Sequence, residues 1–201
     1  MSKTKKKVKE EQIEKSTPAL RILKKDVLSE GFIHLSRVTA EVTGRDGRPL
    51  KLTREVYHHG NVAAILPVDR KRHTALLVRQ WRIPLWLNGY KEPLLEATAG
   101  IIDDGETPEA CAMREVIEET GYAVSNVRNI AEVYTSPGTL TERLYLYLAD
   151  YDESSKRNDG GGLRSEGEDI EVVELGIPAL KDMATRGEIL DAKTLILIHA
   201  L

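Results

Sequence analysis

The sequence predicts an α+β fold, and three observations carry that reading. Strand-like runs outnumber helix-like ones, they follow one another in hairpin succession, and they do not alternate with helices as a parallel sheet requires. At 201 residues, against roughly 100–200 residues per domain, the chain suits one compact domain with a small appendage.

The elements follow in chain order. Residues 1–16 hold six lysines and three glutamates, with Val8 and Ile13 the only sizeable aliphatics. Such a segment cannot bury enough surface to offset its ordering entropy, so it reads as a disordered basic tail. A solvated terminus and a segment that touches RNA or a membrane are both open for it. From Leu20 to Ala149 come HLSRVTAEVTG, LTREVYHHG, VAAILPVD, TALLVRQWRI, ATAGII, VRNIAEVYT and RLYLYLADY. Several alternate apolar with polar residues, as half-buried strands do. Arg45-Asp46-Gly47 between two such runs reads as a hairpin turn. TPEACAMREVIEETG is the clearest helix, and PALKDMATRGE and DAKTLILIHAL form a plausible final pair. Between Asp152 and Asp169 lies DESSKRNDGGGLRSEGED, with Leu163 its one large apolar residue. A disordered surface loop and an active-site lid are both open there.

Composition narrows the function. Hydrophobic residues make up 41% and charged residues 30%, enough for a core. With 29 Lys+Arg against 32 Asp+Glu the net charge is -3, which gives no case for nucleic-acid binding. A single cysteine, Cys111, excludes an internal disulfide and fits a reducing compartment. No apolar run approaches the roughly 18–20 residues a bilayer span needs, and the start lacks the apolar stretch of a secretion signal. The expectation is a cytoplasmic protein with no membrane or nucleic-acid partner.

The informative stretch is GIIDDGETPEACAMREVIEETGY, residues 100–122. Thr107 suits a helix N-cap, Pro108 its first turn and Gly121 its end. At about 100° per residue, Glu115, Glu118 and Glu119 share an arc of roughly 100°, while Ala110, Met113, Val116 and Ile117 fall opposite and are expected to face the core. Glu115 and Glu119 are an i,i+4 like-charge pair, unfavourable by a few tenths of a kcal/mol even in water. Arg114 offsets part of that. A solvated face remains open, but such faces usually interleave lysine, and no lysine stands between Glu92 and Lys156. A hard divalent cation with oxygen ligands would turn the repulsion into attraction.

The full spacing resembles the Nudix box: Gly100, five residues, Glu106, seven residues, then Arg114-Glu115-Val116-Ile117-Glu118-Glu119-Thr120-Gly121-Tyr122. Tyr122 stands where the family usually has an aliphatic residue, a departure in packing alone. REVYHHGNVAAIL, VRQWRIPLWLNG, LLEATAGIIDD, YTSPGTLTERLYLYLADY, GGGLRSEGEDIEVVEL and GEILDAKTLILI are similar to the nucleotide-sugar branch of that family. The similarity runs from about Leu23 to the C-terminus.

The resemblance implies an α/β/α sandwich around a mixed sheet. It implies Mg²⁺, or Mn²⁺, held by Glu115, Glu119 and the backbone carbonyl of Ala99, with Glu118 as a third carboxylate of catalytic role. Arg114 orients the glutamates, and Glu106 anchors the loop to the helix. Arg82 is placed on the substrate diphosphate, and Glu96 and the Ser136-Pro137 turn are implied to bind substrate. For Arg82 a strand-end salt bridge is the alternative, and Arg79 reads as a surface charge. Glu166 or Glu168 is the group that activates water; Glu166 has a further reading as part of the metal shell. Gly160, Gly161 and Gly162 suit a hinge for a closing lid. The implied activity is hydrolysis of a nucleoside diphosphate sugar, GDP-mannose ahead of ADP-ribose. A non-catalytic nucleotide-sugar sensor is the alternative from another class, although all the box glutamates are retained. The implied assembly is a homodimer, giving a tail at 1–16, dimer-forming strands at 17–60 and the hydrolase domain at 61–201.

Overall fold

The computed structural model describes residues 20–201; the expected tail at 1–16 lies outside them. The chain divides between Val56 and Tyr57 into two compact units.

The first unit is a three-stranded sheet of β1 (Leu20–Ser29), β2 (His34–Thr43) and β3 (Pro49–His58), in that order. β1 pairs antiparallel with β2, from Leu20 opposite Val42 to Ser29 opposite Leu35. Lys24-Lys25-Asp26 interrupts the apolar pattern of β1, which is why alternation does not reveal it. The turn joining β2 and β3 falls on the expected residues. Gly47 takes φ 78°, a conformation that costs glycine little, and Asp46 Oδ1 accepts the Arg48 amide at 3.0 Å. Leu20, Ile22, Val27, Phe32 and Leu50 of this unit are exposed.

In the second unit a mixed seven-stranded sheet is sandwiched between helices. Its strands are β4 (Val62–Asp69), β5 (Thr74–Gln80), β6 (Leu94–Glu96), β7 (Thr98–Ile101), β8 (Ser125–Tyr134), β9 (Arg143–Asp150) and β10 (Glu171–Gly176). The order is β10-β5-β4-β9-β8, with β6 on β5 and β7 on β4. β4 and β9 run parallel, Val62 opposite Leu144 to Val68 opposite Asp150; the other pairings are antiparallel. The helices are α1 (Ile83–Leu87), α2 (Pro108–Thr120), α3 (Ile177–Thr185) and α4 (Ala192–His199).

The period-two alternation of β4 and β9 builds both layers. Ala64, Leu66 and Val68 join Leu144, Leu146 and Leu148 against Leu180, Leu197 and Ile198 of α3 and α4. Ala63, Ile65, Tyr147 and Ala149 point the other way, onto Cys111, Ala112 and Val116 of α2. Truncating a fully buried residue such as Leu66 to alanine costs about 2–5 kcal/mol. The strand run TALLVRQWRI stops at Gln80, and Pro84 then sits in the first turn of α1, where its missing N–H costs nothing.

One expectation is overturned here. The buried face of α2 consists of Cys111, Ala112, Glu115, Val116, Glu119 and Thr120. Of the four residues expected to face the core, Val116 alone is buried, and Met113 is exposed. The helix is turned so that Glu115 and Glu119 go inward. Hydropathy assigns glutamate to solvent; Glu115 overrides it with a partner and space, as described next, and Glu119 with an Oε2 left bare.

Candidate active site

α2 is set by its caps. Thr107 Oγ1 accepts the Ala110 amide at 3.2 Å, Pro108 takes the first turn, and Gly121 ends the helix at φ 80°. The helix lies over β7 and β4, with Cys111, Ala112 and Val116 against β4 and Glu115 over Gly100 of β7. Gly100 of β7 makes the room: a Cβ there would stand 1.7 Å from Glu115 Oε1. Ala99, whose carbonyl the resemblance assigns to the metal, is the neighbouring residue and pairs with Ala64.

Arg114 ties the acidic side chains together. Its Nη1 donates to Glu115 Oε1 at 2.7 Å and to Glu118 Oε2 at 3.0 Å. Its Nε and Nη2 both donate to the Glu106 carboxylate at 3.1 Å. Glu106 also accepts the Asp103 amide at 3.3 Å, which joins the loop to the helix. The Arg114 guanidinium holds Glu106 below the usual carboxylate range.

Glu119 has no such help. It is 1% exposed, and its Oε2 is buried without a hydrogen-bond partner. Burial, then the charges of Glu115 and Glu168, push its pKa up to about 8. Burial also raises Glu115, with Arg114 opposing. An ionised carboxylate left bare in the interior is costly unless a cation or a proton joins it.

As placed, no three acidic, imidazole or thiol side chains converge to ligand distance among the described residues, and Arg114 holds Glu115. The donor chemistry nonetheless fits a hard divalent cation: a bare carboxylate oxygen, a second buried carboxylate beside it, and a third, Glu168, within electrostatic reach.

Glu168 is brought there by the loop between β9 and β10, which is docked on the C-terminal end of α2. Gly161 N and Gly162 N donate to Glu119 O at 2.8 Å and Glu118 O at 3.1 Å, and Arg157 N donates to Gly121 O at 2.7 Å. These bonds satisfy carbonyls that a helix end leaves open. A Cβ at Gly160 would stand 2.5 Å from Glu119 O, so close backbone packing is what this glycine permits, whatever hinge role it also has. Glu168 Oε2 then accepts the Leu163 amide at 2.9 Å and is half-buried, whereas Glu166 lies exposed in a short 3₁₀ turn, Arg164–Glu166.

A second group faces the same field. Arg82 donates to both oxygens of Glu96, at 2.7 and 3.2 Å, and Glu96 is 3% exposed. Lys193 Nζ of α4 reaches Glu96 Oε2 at 2.5 Å. Burial disfavours the Glu96 charge, and Lys193 and Arg82 overcome it, lowering its pKa. The Arg82 charge in turn lowers Glu119. Lys193 was not singled out from the sequence. A cation in the first turn of a helix opposes the dipole, and that mismatch behind the Asp191 N-cap is the signal that it serves something else. Arg79, by contrast, pairs with Glu171 at 2.8 Å on the outside.

Ser136 and Pro137 are exposed on the β8–β9 connection, and no hydrogen bond joins them to the carboxylate group among the described residues. Ser136 O accepts the Leu140 amide at 2.8 Å. Glu142 accepts the Thr135 hydroxyl at 2.5 Å and lies 3.0 Å from His59 Nε2, which fixes both ends of the turn.

Residues 57–193 match the NUDIX domain family. The chain is 42% identical over 183 residues to a GDP-mannose pyrophosphatase of Cronobacter sakazakii, spanning 90% of this chain and 94% of the relative. It is 41% identical over 186 residues to a GDP-mannose pyrophosphatase of Escherichia coli, spanning 92% and 96%.

Proposed function

Because this chain belongs to the Nudix family, we propose that it is a pyrophosphohydrolase that splits GDP-mannose with water into GMP and mannose 1-phosphate. The observation that carries the reading is the bare, buried Glu119 oxygen flanked by Glu115 and Glu168, with Arg82 acting on the same field. GDP-mannose stands first among substrates because the relatives matched over nearly their whole length bear that name.

Glu115, Glu119 and the Ala99 carbonyl are the groups we assign to Mg²⁺, with Mn²⁺ as a substitute. When bound, the divalent cation supplies charge neutralisation of the diphosphate and acidifies the attacking water. Glu168 accepts the proton of that water at its carboxylate, being the loop glutamate that shares the field of Glu115 and Glu119. Glu118 stays with Arg114 and holds the helix face in place. Arg82, kept charged and oriented by Glu96, offers its guanidinium edge to the diphosphate oxygens as charge develops in the in-line displacement. Lys193 shares the Glu96 Oε2 with Arg82 and helps to fix that carboxylate.

We also propose a homodimer in the cytoplasm. The exposed Leu20, Ile22 and Val27 of β1, with Phe32 in the turn that follows it, support association. No helix among the described residues is long and apolar enough to cross a membrane. Light scattering should give a mass about twice 22.5 kDa; the monomer mass would end the dimer assignment.

The test of the activity is a substrate panel with Mg²⁺, read by phosphorus NMR. GDP-mannose should show the highest kcat/KM, with GMP and mannose 1-phosphate as products. ADP-ribose turned over faster would move the chain to that substrate class, and undiminished turnover by Glu119→Gln would remove the assigned mechanism.

A further inference from the structure

At the end of the sheet away from Arg82, where β4 turns into β5, a cavity of about 330 Å³ opens beneath α3 and α4. β5 runs from Thr74 beside this cavity to Gln80 beside the site above. Its floor is apolar, with Leu148 and Ile177 among the lining residues. Its rim is basic: Arg70, His73, Arg128 and Lys181 all line it. The β4–β5 turn (Arg70 and His73), β8 (Arg128) and α3 (Lys181), three separate elements, thus bring basic side chains to one place.

Of the four, Arg70 is already paired with a carboxylate, and among the described residues Arg128, Lys181 and His73 are not. The nearby carboxylate, Asp150, accepts Arg70 Nε at 2.9 Å on one oxygen and Asn126 Nδ2 at 2.9 Å on the other. Arg128 acts on Asp150 through space. Among the described residues, no carboxylate lies within ion-pair distance of Arg128, Lys181 or His73. His73 reaches the rim from the left-handed region, at φ 56°, and its carbonyl accepts the first amide of α3, Ile177 N, at 2.8 Å. α3 therefore starts at the cavity wall, and its N-cap, Gly176, makes no side-chain cap. α4 ends at the wall too, and its dipole opposes that of α3. Each helix end is worth about half a charge, less than the full charge of either Arg128 or Lys181; Ala200 and Leu201, which follow α4, line the wall beside them.

We propose that this cavity is a second binding site, for the phosphate monoester of a small organic molecule such as a sugar phosphate or nucleoside monophosphate. The basic rim takes the phosphate, for which arginine offers a planar pair of donors. The apolar floor takes the carbon skeleton, and the volume lies in the range of small-molecule sites. Bare phosphate would leave the floor unused.

The full chain, freed of metal with chelator, carries the test. Methyl NMR follows Leu148 and Ile177 while mannose 1-phosphate, GMP and inorganic phosphate are added in separate titrations. The expected result is saturable shifts of these methyls at millimolar ester or below, with inorganic phosphate weaker. Arg128→Gln with Lys181→Gln should weaken ester binding about tenfold or more, whereas Arg82→Gln should leave these shifts in place. Unmoved methyls in the wild type, or shifts that survive the double substitution, would overturn the site. Equal affinity for inorganic phosphate would overturn the ester assignment. These readouts do not involve turnover, so failure here leaves the hydrolytic reading untouched, and the reverse holds.

Discussion

Replacing Glu119 by glutamine should make the metal-free protein more stable while removing its activity. Glu119 is pushed from 4.5 to about 8 by burial and by Glu115 and Glu168. Its pKa in the fold lies above that in the unfolded chain, so the folded state holds the extra proton between these values. Stability is therefore full below about pH 4.5 and falls as pH rises towards 8, levelling off beyond. At about 1.4 kcal/mol per pKa unit, the loss reaches roughly 3 kcal/mol at pH 7 and roughly 5 kcal/mol above pH 8. Glutamine has the shape of the protonated acid and cannot ionise, so Glu119→Gln should escape this decline. Urea unfolding in chelator at pH 5, 7 and 8.5, in both proteins, gives the difference directly. The two should agree within about 1 kcal/mol near pH 5 and diverge with pH in favour of the variant. Parallel curves, or a variant less stable at pH 8.5, would refute the claim that Glu119 is a bare buried acid.

Three further outcomes follow from the geometry. Gly100→Ala places a Cβ where Glu115 Oε1 now lies; kcat/KM should fall about 100-fold with circular dichroism unchanged. Glu168→Gln should lower kcat about 100-fold and Glu166→Gln less than about threefold; the opposite ranking, in steady-state assays, would transfer the base role to Glu166. Gly160→Ala forces a side chain against the Glu119 carbonyl at a positive φ, and should cost about 2 kcal/mol or more in urea unfolding.

How legible the molecule is from sequence differs from element to element. Both ends of α2 are legible because Thr107, Pro108 and Gly121 act locally, within one helical turn. Its rotation is not, because the burial of Glu115 rests on Arg114 and on the space above Gly100, and that of Glu119 on no partner that its Oε2 touches. None of these is visible in an apolar periodicity. The alternating β4 and β9 declare themselves, since each face has its own helical layer to meet. β1 and α1 do not: Lys24-Lys25-Asp26 breaks the first, and Pro84 among large apolar residues hides the second. Glycines 160–162 are plain in the sequence as a flexible run, yet their contact with the Glu118 and Glu119 carbonyls is a long-range fact. The grip of Lys193 on Glu96, across 97 positions, is another.

Calorimetric titration of Mg²⁺ into the metal-free chain at pH 7, in two buffers of different ionisation heat, probes the core of this account. Binding should release about one proton, that of Glu119, so the apparent heats should differ between buffers, and the Glu119→Gln protein should show no such release and far weaker binding. Absence of binding by the wild-type chain, or identical titrations for the two proteins, would contradict it.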